Sequence, residues 1–113
     1  MAFSEHQAER IRQRLSRANL TDEKKMMGGL IFMVNDKMCI GLDIDKETGS
    51  DRLMVRVGKA KHDALIFKKG SREMNFTGKV MRGFLFIDSA GFDAEEDLDF
   101  WIEKALEFNS EIA

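Results

Sequence analysis

The sequence has no proline, one cysteine (Cys39) and two histidines (His6 and His62). None of its apolar runs approaches the roughly 18 residues that a membrane-spanning helix needs. Without proline there is no proline-rich ligand segment and no stiffened linker. A single cysteine excludes an intramolecular disulfide and a cysteine-based metal cluster. The two histidines are far apart, and no carboxylate pattern completes a metal site around either. The start, Met1-Ala2-Phe3-Ser4-Glu5-His6, lacks the basic region and apolar run of a signal peptide. These absences point to a reducing cytoplasm, with no membrane association. The net charge of −2 provides no global attraction to nucleic acid or to a membrane surface.

What is present is enough for one domain over residues 1–113, with an ordinary apolar share of 43% to build a core. Charge is uneven along the chain. Residues 1–69 hold 14 Lys/Arg against 10 Asp/Glu, and residues 70–113 hold 4 against 10. The acidic excess falls at Asp93, Glu95, Glu96, Asp97 and Asp99, where it complements the dipole of a helix beginning there.

Periodicity sets the expected elements. Ser4 suits an N-cap for a helix of about fifteen residues, with Ala8, Ile11, Leu15 and Ala18 on one face. Arg10, Arg14 and Arg17 form a stripe beside that face. A first strand is expected from Lys24 to Val34, containing the pair Gly28-Gly29. Glycines inside a strand mark a bulge or a close approach by another backbone. Asn35-Asp36 reads as a tight turn into a second strand. There Met38, Ile40, Leu42 and Ile44 point one way, and Cys39, Gly41 and Asp43 the other. A third strand, Arg52 to Val57, directs Leu53, Val55 and Val57 to the core, with Met54 and Arg56 facing away. Gly58 ends it. A short helix follows over Lys59 to Phe67, with Ala60, Ala64 and Phe67 on its packed side. Strands near Met74 to Thr77 and Gly83 to Asp88 come next. A final helix over Ala94 to Asn109 carries the stripe Leu98, Trp101, Ile102, Ala105, Phe108 and Ile112. The order α-β-β-β-α-β-β-α predicts an α+β two-layer sandwich, a five-stranded antiparallel sheet with helices on one face.

Chemistry-bearing constellations are sparse. Cys39 and His62 would make a nucleophile and base only if the fold joined them, and a thiol in a strand is more simply a small apolar residue. Asp43-Ile44-Asp45-Lys46-Glu47-Thr48-Gly49 glances at a calcium loop. Its glycine is one place late, and Met54 stands where a bidentate Glu is required. Gly28-Gly29 is not followed by the helix and Gly-Lys-Ser/Thr of a phosphate loop. No catalytic residue, metal or cofactor is therefore expected, and the chain does not read as an enzyme. Leu30 to Val34 and Phe84-Leu85-Phe86-Ile87 are apolar at successive positions, so both sheet faces should be covered at these strands. If helices cover one face, the other is expected either to meet a partner or to be covered by a loop or the first helix. Lys25, Gly28, Gly29, Met54 and Arg56 are the candidate interaction residues, because Arg and Met are enriched at interfaces.

Five blocks, in order, resemble a known family. They are Thr21 to Phe32 with Lys-Lys-Met-Met-Gly-Gly, Asn35 to Cys39, Leu53-Met54-Val55-Arg56-Val57-Gly58, Met74 to Phe84, and Phe100 to Leu106 with its tryptophan. Together they are similar to the N-terminal domain of the TfoX/Sxy family. Met27 and Val80 depart from the family's usual Phe and Pro, and the loop Lys46 to Ser50 looks longer. The resemblance implies a two-layer fold like that of secretion chaperones. It also implies kinship with bacterial regulators of natural competence, which act with a cyclic-AMP-dependent transcription factor, and so a partner in the transcription machinery. It carries over no catalytic residue. The longer regulators continue into a second domain, so the resemblance is to the N-terminal domain alone, and competence itself does not follow from it. The leading expectation is a non-enzymatic regulatory module, a homodimer that binds a protein partner. The alternative is a nucleic-acid accessory domain using the first helix and the Lys59 to Lys69 region, whose contacts would be salt-dependent.

Overall fold

The computed structural model of the chain describes residues 3–26, 28–76 and 78–112. Met27 and Thr77, expected at strand positions, lie outside the described residues, as do Met1 and Ala2. The elements in chain order are α1 (Glu5–Leu15), β1 (Leu20–Met26), β2 (Gly29–Val34), β3 (Lys37–Ile44), β4 (Asp51–Arg56), α2 (Lys59–Leu65), β5 (Ser71–Phe76), β6 (Lys79–Asp88) and α3 (Glu95–Ile112). A 3₁₀ turn, Ser89–Gly91, precedes α3. The α+β class and the antiparallel sheet are as expected. The sheet has six strands rather than five, in the order β1-β2-β3-β4-β6-β5.

The extra strand comes from the glycine pair. Met26 pairs directly with Gly29, so the chain reverses between them and the single strand expected over Lys24 to Val34 is a hairpin. Gly28 has φ +78°, a conformation that costs glycine little and suits a tight turn. Gly29 is where two backbones meet. A Cβ there would lie 2.3 Å from the Leu42 carbonyl oxygen, the close approach that a strand glycine signals. The second hairpin turns at Asn35 and Asp36, both at positive φ (52° and 62°), as the sequence indicated.

A bulge corrects the expected alternation of β3. Phe32 pairs with Ile40 and Met33 with Met38, so the register shifts at Cys39. One extra residue moves the preceding side chains to the opposite face. Met38 accordingly joins the side of Gly41 and Asp43, and Cys39 joins the core with Ile40 and Leu42.

One sheet face is covered by helices. α1 contributes Ala8, Ile11 and Leu15, and its N-terminus is capped by Ser4, which accepts from the Gln7 N–H at 3.4 Å. α3 contributes Leu98, Trp101, Ile102 and Ala105. These pack on Leu30, Phe32, Ile40, Leu42, Leu53, Val55, Leu85 and Ile87. Trp101 is 2% exposed and anchors the layer. α1 ends at Leu15, shorter than expected, because residues 16–19 turn toward β1. α2 packs through His62 and Leu65 rather than Ala60, Ala64 and Phe67. Phe67 lies past the helix end and is exposed. The rotation follows from how α2 is tethered. The Val57 and Gly58 N–H groups both donate to the Gly83 carbonyl, at 2.8 and 3.0 Å, and the Gly83 N–H donates to His62 Nδ1 at 3.0 Å. β6 begins at Lys79 rather than near Gly83, so this strand is longer than expected. Among the described residues no helix is long and apolar enough to cross a membrane.

Candidate functional site

The helix-free face of the sheet carries its own apolar cluster. Ile31, Met54 and Met74 are buried on it, with Met33, Met38, Met81, Phe84 and Phe86 packed around them, and among the described residues no helical one belongs to the cluster. Its side chains alternate with the core residues along β2, β4 and β6, so strand period decides the division. Successive apolar residues at Leu30 to Val34 and Phe84 to Ile87 are thereby explained: each strand is apolar on both faces because both faces are covered.

The covering of this face comes from curl. Met26 near the end of β1 and Met74 and Asn75 of β5 line one cavity, although β1 and β5 are the two outer strands of the sheet. The cavity holds about 190 Å³. Ile31, Met54 and Phe86 form its apolar wall, and Gly29 and Gly41 keep its floor low. A Cβ on Gly41 would stand 2.9 Å from Ile31 Cδ1 and 3.2 Å from Met54 Cε, so a larger residue would disturb that wall. Thioether side chains are unbranched and polarisable, which suits a surface that adapts to different apolar groups.

A charged rim borders the cavity. Arg52 donates from Nε and Nη2 to both carboxylate oxygens of Asp43, at 3.0 and 2.8 Å, and its guanidinium lies 3.8 Å from the centre of the Phe86 ring. Such a two-pronged pair fixes orientation as well as charge. Asp45 accepts from the Glu47 N–H at 2.9 Å and from Arg72 at 3.0 Å; Arg72 also reaches Asp88 at 2.6 Å. The Glu47 N–H, Arg72 and Arg52 hold the Asp45 carboxyl below the ordinary aspartate value.

The five residues chosen from sequence divide in this geometry. Gly29 and Met54 meet in the methionine cavity. Arg56 points from the same face but lines a different pocket, with Gly58, Lys59, Arg82, Gly83, Phe84 and Phe108. Lys25 lies opposite Leu30, so it falls on the helix-covered side, exposed at the sheet edge. Gly28 is an exposed turn residue with open space around it. Sequence reasoning missed Met26, Met74, Arg52 and Phe86. The signal available was the abundance of methionine, 8 in 113 residues, which composition shows but position along the chain does not explain.

Cys39 and His62 are not joined. Cys39 is 1% exposed in the helix-side core, and burial pushes its thiol up to about 12. His62 is committed through Nδ1 to the Gly83 N–H; its Nε2 is buried with no partner among the described residues. Of the expected arginine stripe, Arg10 and Arg14 lie on α1 and are engaged, whereas Arg17 lies past the helix end and is exposed. Arg10 Nε donates to Glu95 at 3.0 Å, and Arg14 reaches Asp99 at 2.6 Å and Glu95 at 2.9 Å. The acidic opening of α3 thus faces the basic flank of α1. Arg12 pairs with Glu23 through two bonds of 2.8 Å, which lower the Glu23 carboxyl. Lys61 binds Glu107 at 2.8 Å, and Lys69 lies 3.4 Å from Asp97. Asn109 was another residue unseen in sequence. Buried at 2%, it accepts from Asn35 Nδ2 at 2.8 Å and donates to the Val34 carbonyl at 2.9 Å, tying α3 to the second hairpin turn.

Comparison with known proteins places this arrangement. The family model described as the TfoX N-terminal domain matches residues 13–109. A crystal structure of a protein from Pseudomonas syringae is similar with a TM-score of 0.60 at 16% identity, covering 90% of this chain and 95% of that one. That likeness concerns the fold. No curated protein matches the chain.

Proposed function

The chain belongs to the TfoX N-terminal domain family, and from that premise we propose that it is a non-enzymatic regulatory interaction module, a homodimer that receives a protein partner on the helix-free sheet face. The observation that carries this reading is the methionine-lined cavity between the curled sheet edges. A protein surface that combines adaptable thioethers with a rim of fixed ion pairs is suited to an apolar side chain flanked by polar groups. By family kinship the partner belongs to the transcription machinery. The engagement of Arg10 and Arg14 by Glu95 and Asp99 weighs against the first helix as a nucleic-acid surface.

Two measurements test the reading. Light scattering coupled to size exclusion is expected to give the mass of a dimer; a monomer at high concentration removes the homodimer. Affinity capture from the native cytoplasm compares wild type with Met26→Glu. Met26 is 40% exposed, so a charge there should spare the fold, which circular dichroism checks. A transcription component is expected on wild type and absent from the variant. Capture indifferent to the substitution would move the partner away from this face.

A further inference from the structure

Arg56 stands apart from the other arginines of α1 and the sheet. Arg10, Arg12, Arg14, Arg52, Arg72 and Arg82 each have a carboxylate within 4 Å. Arg56, half-buried, has none among the described residues. Its hydrogen bond runs from Nη1 to the Met38 carbonyl at 3.4 Å, and its guanidinium lies 5.4 Å from the centre of the Phe84 ring and 5.5 Å from that of Phe108. Aromatic faces stabilise a cation by about 0.5–2 kcal/mol, which offsets only part of its desolvation.

The pocket beside it holds about 290 Å³. Lys59 and Arg82 join Arg56 in its lining, and among the described residues no Asp or Glu does. Arg82 is held from outside by Asp63, at 3.1 and 3.2 Å. The floor is rigid. Gly58, at φ +85°, packs so closely on Phe108 that a Cβ would lie 2.4 Å from the ring, and the Gly83 carbonyl takes two backbone hydrogen bonds from Val57 and Gly58. Two flat rings and three cations without a lining acid define a complementary shape and charge. Guanidinium geometry matches the paired oxygens of carboxylate and phosphate.

We propose that this pocket binds a small planar anion, an aromatic ring bearing a carboxylate or phosphate group, with Arg56 and Lys59 on the anionic group and Phe84 and Phe108 against the ring. The site is separate from the methionine cavity, and it stands or falls independently of a protein partner there.

Calorimetric titration at low salt tests it, with benzoate, phenyl phosphate, inorganic phosphate and neutral benzyl alcohol as probes. Benzoate or phenyl phosphate is expected to bind at about 1 mM or tighter, and whichever binds better identifies the anionic group. Arg56→Gln should weaken that binding by about tenfold or more, the effect of losing one charge-assisted paired contact. Phe84→Leu should weaken it several-fold, and Arg12→Gln, remote from the pocket, should leave it unchanged. Arg56→Lys is a second probe, keeping charge without the planar fork; it should also weaken binding while preserving the fold. No binding of either aromatic anion, equal binding of inorganic phosphate or benzyl alcohol, or binding insensitive to both Arg56 variants would overturn the proposal.

Discussion

The two faces of this sheet are made by the same strands and differ in kind. The helix-covered face is Leu, Ile, Val and Phe under Trp101, with side chains of defined shape in mutual contact. The helix-free face is Met, Gly, Phe and Arg, closed by curl. Branched side chains lose little freedom on packing and specify one arrangement, whereas methionine tolerates several. The covered face therefore determines the fold, and the open face is left with adaptable surface. A single bulge at Cys39 keeps this division consistent along β3: without the shift at that point, Met38 would enter the core and the thiol would line the open side.

Substitutions should separate the faces by size of effect. Trp101→Ala removes the anchor of the covered face and should cost about 3–5 kcal/mol by urea denaturation. Gly29→Ala comes next. Its Cβ meets the backbone of β3, so the strands must part, at a cost of about 1–3 kcal/mol. Asn109→Ala strands the Val34 carbonyl and the Asn35 amide, and about 1–3 kcal/mol is expected from unmade buried hydrogen bonds. Met54→Leu conserves volume on the open face and should cost less than about 1.5 kcal/mol. A loss for Met54→Leu as large as for Trp101→Ala would abolish the contrast between a specifying face and an adaptable one.

The smallest effect concerns acid. Hydrogen bonds from Arg12 lower the Glu23 carboxyl, and those from Arg14 and Arg10 lower Glu95, each from an ordinary value of 4.5. A carboxyl lowered by folding contributes its full stabilisation above the ordinary value and loses it as pH falls through the folded one. Urea midpoints should therefore decline below about pH 4.5. Arg14→Gln should shallow that decline by removing one of the two arginines that hold Glu95. An identical acid profile in the variant would show that the α1–α3 pairs do not couple to folding.

Much of the fold was legible because it depends on local chemistry. Ser4, Asn35-Asp36, the alternation of Leu53, Val55 and Val57, and the stripe from Leu98 to Ala105 each act within a few residues. Three features depended on distance. The hairpin at Met26 and Gly29 was hidden because the glycine pair suits both a turn and a strand, and only the backbone of Leu42 distinguishes them. The packed side of α2 is set by Gly83, twenty-one residues beyond His62, rather than by the pattern within the helix. The cavity unites Met26 with Met74 through curvature that no window of sequence contains. For the same reason Met54 was recognised as facing outward, but the neighbours that make it part of a site were not.

The order of strands also bears on how the molecule assembles. The first four lie side by side in chain order, and two of their three joints span only two residues each. Hairpins of this kind form in roughly 1–10 μs. The seam between α1 and α3, by contrast, joins Arg10 to Glu95 across 85 residues, and the insertion of β6 between β4 and β5 closes a loop through α2. Local ladders carry small closure entropies, and the distant seam a large one. The meander is thus the natural nucleus, with the terminal helices docking onto it late. Changes at the Asn35-Asp36 turn should slow refolding, while changes at the Arg14–Glu95 seam should chiefly hasten unfolding.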